Sequence, residues 1–217
     1  MTTQTVSPSQ VYQGQFGEFT IDQSDRTGVI IYRTGLMVAA LSFAIGSVLA
    51  FKNNPTTIQA ITPLYTCFSL ALGVSLLTIH IYMAPLHRLL QVFWLIGSIS
   101  AFIFAHVDSQ PFAVTVYTNP LTILGVGFTF AALTGIYFKE AFCFNRLETK
   151  ALTFTVPVLL LGHLLGILPI QVEQILLGVW ATLFLVFALR KTFQAIPADI
   201  GDKSVFAYLK AQRAAKV

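Results

Sequence analysis

The chain has 217 residues, 55% of them hydrophobic and only 10% charged, with a formal net charge of +4 at neutral pH. A soluble domain carries about 25% charged residues, so thirteen Lys and Arg and nine Asp and Glu are too few to keep such a surface in water. Composition therefore excludes an ordinary soluble enzyme. It also excludes a nucleic-acid binder, because the basic residues sit at the ends of apolar stretches rather than in a patch interleaved with stacking aromatics.

Residues 1–27 form a polar tail without the basic start and short apolar run of a cleavable signal peptide, so the first apolar run is expected to be retained. Within the tail, "VYQGQFGEFTI" alternates weakly, as a strand does. Residues 28–190 then supply six segments near the roughly 20 apolar residues that a helix needs to cross a bilayer. They are Gly28–Phe51, Ala60–Met83, Leu89–Val107, Leu121–Phe138, Ala151–Leu168 and Ile170–Leu189. Turn chemistry separates them: "KNNPTT", "APLHR", and a β-leaning surface loop, "DSQPFAVTVYTNP". The charged stretch "KEAFCFNRLETK" follows the fourth, and the fifth and sixth form a tight hairpin. Residues 191–217 break at Pro197 and Gly201 and then read as a short amphipathic helix. Its Val205, Phe206 and Leu209 lie to one side, and Lys210, Arg213 and Lys216 would meet anionic headgroups. The predicted fold is an all-α, six-span transmembrane bundle with a short interfacial C-terminal helix.

Six spans put both tails and the 84–88 and 139–150 loops on one side. That side holds Arg26, Arg33, Arg88, Lys139, Arg146, Lys150, Arg190, Lys191, Lys203, Lys210, Arg213 and Lys216, and the other side holds only Lys52. The positive-inside rule then predicts that both termini are cytoplasmic. Arg33 lies five residues into the first span, about 7–8 Å deep at 1.5 Å per residue. An arginine reaches the headgroups from there by snorkelling. A sharper alternative pairs it with Glu140. Arg26 and Arg33 are seven apart, repeat the tripeptide "RTG", and share a helix face, which suits a clamp for an anionic lipid or ligand group.

Polar residues at membrane depth are the candidates for chemistry. His106, Asp108, His163 and Glu173 all belong to the side opposite the termini, and two imidazoles with two carboxylates suit a transition metal or a proton-handling site. Against this, they come from three helices, and no H-E-x-x-H or C-x-x-C spacing supports them. His163 also sits inside Gly162-x-x-x-Gly166, which with Ser42-x-x-x-Gly46 reads as a close-packing seam. His80 and His87 lie too far apart to hold one haem together and read as interface histidines. No cofactor is assigned. Cys67 and Cys143 fall near opposite faces, so no disulfide joins them.

"VYQGQFGEFTI" followed by "DRTGVIIYRTGLMVAALSFAIG" resembles the opening of a small integral-membrane family of unknown function found in cyanobacteria, with relatives in plastid-bearing organisms. The resemblance implies a photosynthetic context, in thylakoid or plasma membrane, and no reaction or catalytic residue. Together these readings predict a non-enzymatic accessory or assembly factor, in contact with lipid and with a membrane complex or further copies of itself. A small transporter or channel is the alternative, and an intramembrane metal enzyme comes third.

Overall fold

The computed structural model describes residues 10–52 and 54–215, so Lys216 and the first nine residues of the tail lie outside the described residues. The tail forms an antiparallel hairpin of β1 (Val11–Gln13) and β2 (Glu18–Thr20), in register Val11 to Thr20 and Tyr12 to Phe19. Helix α1 (Gln23–Lys52) opens on a reciprocal cap. The Asp22 carboxylate accepts from the Asp25 amide at 2.9 Å, and the Asp25 carboxylate accepts from the Asp22 amide at 3.0 Å. Both satisfy amides that a helix start leaves without partners. At thirty residues α1 is about 45 Å long, more than a hydrocarbon core requires, so part of it projects beyond.

Short α2 (Pro55–Gln59) leads into α3 (Ile61–Thr78), followed by α4 (Ala84–Val107). Helix α4 begins five residues before its predicted start. "APLHR" is its first turn and not a loop, because Pro85 sits where a missing amide hydrogen costs nothing. The loop predicted to lean toward strand contains a helix instead, α5 (Phe112–Thr118). Asp108 accepts from the Gln110 amide and from the Thr115 hydroxyl, and Phe112 is buried against Tyr65. These local bonds and that contact override the β propensity of Val114, Thr115 and Val116. Helix α6 (Ile123–Phe144) runs past its predicted end at Phe138 and stops at Asn145, which adopts the left-handed conformation (φ 52°). It thereby carries Lys139 and Glu140 into the bundle rather than leaving them in a loop. Helices α7 (Leu147–Leu164) and α8 (Ile170–Thr192) complete the long elements, and α9 (Ile196–Ile200) and α10 (Ser204–Ala214) follow.

The six long helices close into a ring in chain order: α1 packs on α3, α3 on α4, α4 on α6, α6 on α7, α7 on α8, and α8 on α1. Missing side chains set two of these approaches. A Cβ on Gly35 would meet Ser75 and the Ala71 carbonyl at 2.6 and 2.7 Å, and one on Gly97 would run into Thr129. The expected Gly162-x-x-x-Gly166 seam does not do this. Gly166, at φ 64°, ends α7, with its amide donating to the His163 carbonyl and the Ile167 amide to the Gly162 carbonyl. That is a Schellman stop, so the pair marks a helix end.

Aromatic rings fill the axis. Phe43 lies 4.4 Å from Trp180, Phe130 lies 5.1 Å from Trp180, and Phe68 lies 5.7 Å from Phe130. These four rings come from α1, α8, α6 and α3. Outward, a belt of exposed Leu, Ile, Val and Phe clads the ring. Among the described residues, five helical stretches are long and apolar enough to cross a membrane: Gln23–Lys52, Pro55–Thr78, Ala84–Val107, Pro120–Phe144 and Ile170–Thr192. The predicted fifth span, now α7, is not among them, since Glu148 and Lys150 occupy its first turn.

Candidate functional site: a buried ion network at the terminal end

Both described chain ends meet at one end of the bundle. The Gln15 amide donates to Asp202 at 2.6 Å, and the Phe16 amide donates to the Ser204 hydroxyl at 3.0 Å. Phe16 stacks on Tyr208 with ring centroids 4.0 Å apart, and Phe206 packs on Tyr82 of the α3–α4 loop. Lys203 ties this cap to α1 through Asp25, at 2.6 Å. Ile200 is buried against Ile21 and Val29. Nearby, burial lowers the His80 imidazole below its ordinary value, with Asp25 opposing that shift.

Beneath the cap lies the most polar part of the interior. Lys191, on the last turn of α8, is fully buried. Its ammonium donates to Glu140 at 2.6 Å and pairs with Asp199. Glu140, also fully buried, accepts from Lys139 at 2.9 Å and from the Tyr32 hydroxyl at 3.3 Å. Arg33 donates to Asp199 through Nε at 2.8 Å and Nη2 at 2.7 Å, and to the carbonyls of Gln194 and Ala195. The Gln194 amide donates to Asp199 at 3.3 Å and accepts from Arg146 at 2.6 Å. Arg190 donates to Glu148 at 2.9 Å on the rim. The Phe144 ring lies 4.2 Å from the Lys191 ammonium and adds a cation–π contact.

The network joins α1, α6, α7, α8 and α9. Buried charges persist only when paired and hydrogen-bonded, and nearly all of these are. The exceptions are Arg146 Nη1 and Glu148 Oε1, buried without partners. Chemically, the arrangement holds one ammonium between two carboxylates and one guanidinium across a carboxylate. Arg33 therefore pairs with Asp199, not with Glu140. Glu140 is already satisfied by Lys191, Lys139 and Tyr32. Arg26 lies a turn and more outward and makes no ion pair with a described residue, so the two arginines do not converge on a shared partner.

Lys191, Asp199 and Gln194 escaped the sequence reading. One signal was present. Arg190 and Lys191 are adjacent on a helix and point about 100° apart, so they do not share one face. A second was the acid in "IPADIGD", alone between a proline and a glycine in a basic tail.

At the other end the predicted cluster divides. His163 and Glu173 come together, with Nδ1 to Oε1 at 2.7 Å. His163 Nε2 donates to the Tyr117 carbonyl at 3.1 Å, and the Tyr117 hydroxyl donates to Glu173 at 3.3 Å. Burial, then the Glu173 carboxylate, raises the Tyr117 phenol above its ordinary value, so it stays a donor. His106 turns back onto its own helix, at the Phe102 carbonyl, and Asp108 accepts from the Gln110 amide and the Thr115 hydroxyl in the turn between α4 and α5. Among the described residues no three His, Cys, Asp or Glu side chains are grouped closely enough to hold a metal ion. His87 contacts the Leu76 carbonyl, and both cysteines are free.

A family profile described as "Uncharacterized integral membrane protein (DUF2301)" matches residues 74–208, from the last part of α3 to the middle of α10. An "Uncharacterized protein" of Haemophilus influenzae is 29% identical over 187 residues, which is 86% of this chain and 94% of that one. No solved structure matches.

Proposed function

The chain belongs to the DUF2301 family of uncharacterized integral membrane proteins, and from that premise we propose that it is a non-enzymatic accessory or assembly component of a larger membrane complex. The observation that carries this reading is the closed axis. Phe43, Phe68, Phe130 and Trp180 pack across the middle of the ring, where a monomeric pore would need polar, hydrated walls. With no such path, the surfaces left for function are the apolar belt and the capped, basic end. We read α7 as a sixth crossing because it closes the ring between α6 and α8. The capped end then faces the cytoplasm, by its excess of Lys and Arg. The resemblance of the opening motif supports a photosynthetic membrane as the setting of that complex, whereas the similarity to a Haemophilus influenzae protein supports a role outside photosynthesis.

The test is gentle detergent extraction from the native membrane, sized on a native gel. Co-migration with a larger assembly is expected. A lone particle that forms no crosslinks in the membrane would sink the reading.

A carrier is the second reading, favoured by Lys191 buried between Glu140 and Asp199 at the end of α8, since buried charges at a bundle's interior mark ion and substrate pathways in transporters. Proton or ion flux in proteoliposomes that disappears in Glu140→Gln would put it first.

A further inference from the structure

We propose that Arg33 and Lys191 form an anion-binding pocket whose resident occupant is the protein's own Asp199, and that an external phosphate-type anion competes for it. Coordination is the first argument. Oδ2 of Asp199 takes two donors from one edge of the Arg33 guanidinium, at 2.8 and 2.7 Å. Oδ1 takes the Lys191 ammonium and the Gln194 amide. Each oxygen thus has two donors, and the side chain is 2% exposed. A guanidinium edge plus an ammonium is how proteins hold carboxylates and phosphates alike.

The second argument is the difference between host and guest. Arg33 and Lys191 stand on α1 and α8, two long helices packed side by side in the ring. Asp199 stands on five-residue α9, which ends at Gly201 with φ 65° and starts beside Pro197. It is the one carboxylate of the network that does not come from the ring. Arg33 and Lys191 thus belong to the ring, whereas Asp199, like Gln194, belongs to the segment that follows α8.

Charge is the third. Without Asp199, the site would hold Arg33, Lys191, Lys139 and Arg146 against Glu140, with Glu148 engaged by Arg190. A buried excess of that kind does not stand empty. Departure of Asp199 is therefore coupled to arrival of another anion, which makes the event an exchange. Ile200, buried against Ile21 and Val29, biases the exchange toward the closed form when no competing anion is present. The competing phosphate has two sources: free phosphate, or the headgroup of an anionic lipid at this end of the bundle. This proposal stands whether the protein is an accessory component or a carrier.

The experiment uses the full chain in nanodiscs and chloride buffer. Asp199→Ala leaves a carboxylate-sized gap beside Arg33 and Lys191. In phosphatidylcholine discs, inorganic phosphate at hundredfold excess over its dissociation constant should raise the melting temperature of this variant by on the order of 5 °C. Adding Arg33→Gln should abolish the rise. Stabilisation by free phosphate in phosphatidylcholine assigns the soluble anion. Stabilisation only in phosphatidylglycerol discs, again dependent on Arg33, assigns the headgroup. No rise in either arm, or an equal rise with Arg33→Gln, overturns the pocket. If Asp199→Ala does not fold, hydrogen exchange on the wild type decides. Exchange of residues 194–203 that speeds up with phosphate or phosphatidylglycerol supports the exchange, and unchanged protection in both overturns it.

Discussion

The two ends of this bundle handle charge in opposite ways. At the terminal end, five elements contribute to a network in which Lys191 and Glu140 are fully buried. At the far end, the one imidazole–carboxylate contact among the described residues there joins His163 and Glu173, on side chains 16% and 12% exposed. The contrast shows that a count of basic residues mixes two populations. Arg33, Lys139 and Lys191 inside the fold, and Arg190 and Lys203 at its rim, are bound to carboxylates. Arg26, Arg88, Lys150, Lys210 and Arg213 have no carboxylate partner among the described residues, and only such residues are free to answer to the membrane.

Removing one carboxylate from each end gives the sharpest test. Glu140→Gln leaves the Lys191 ammonium, fully buried, with half of its compensation. Breaking a buried pair from one side costs about 3–5 kcal/mol. Glu173→Gln keeps an acceptor for the Tyr117 hydroxyl and loses a charge at a partly hydrated rim, and should cost about 1 kcal/mol. Thermal unfolding of both variants in one detergent compares them directly. Equal losses would mean that the terminal network is already wetted and the contrast is false.

Arg33→Lys comes between the two. It keeps the charge and loses the fork that reaches Asp199 and two backbone carbonyls at once. The expected loss is about 1–3 kcal/mol. It should appear first as faster exchange of the Gln194–Asp199 segment, with the ring intact. A uniform loss across the ring would mean that Arg33 supports α1 packing and not the clasp.

Hydrophobic runs and breakers were enough to place the long helices, because each run must cover about 30 Å with apolar side chains. Their ends were less legible. "KEAFCF" reads as a loop by charge, yet both charged residues are helical: Lys139 donates to Glu140 beside it, and Glu140 finds its other partners on α8 and α1. Those partners are distant in sequence, and no local signal reports them. The same holds for the site. Arg33 was visible as an anomaly, but its partner lies 166 positions away on a five-residue helix. At the far end the sequence grouped four residues by side of the membrane. The fold brought two together, because position along the bilayer normal says nothing about position around the ring. Gly162-x-x-x-Gly166 misled for a related reason: a helix stop and a helix seam share the same small residues, and only the φ of Gly166 separates them.

The smallest expected effect concerns the cap that covers the network, and it turns on sign. Hydrogen bonds from the Ser204 hydroxyl, then from the Gln15 amide, hold the Asp202 carboxyl below its ordinary value. A carboxyl depressed in the folded state contributes stability above its unfolded value, about 3.9, and that contribution is lost as pH falls through the folded value. Docking of the β1–β2 hairpin on α10 should thus be constant from pH 7 to about pH 4 and weaken only below. His80 makes the competing forecast. Burial lowers its imidazole, so the folded state takes up a proton later than the unfolded one. Its contribution fades as pH falls from about 6.5 toward the folded value. Protection of the Gln15 and Phe16 amides against hydrogen exchange, followed from pH 7 to pH 3, tells the two apart. Protection lost only below about pH 4, and already weak at neutral pH in Asp202→Asn, assigns control to the carboxylate. Protection that already fades as pH falls below about 6.5 moves control to His80, which reaches the cap through Asp25 and Lys203.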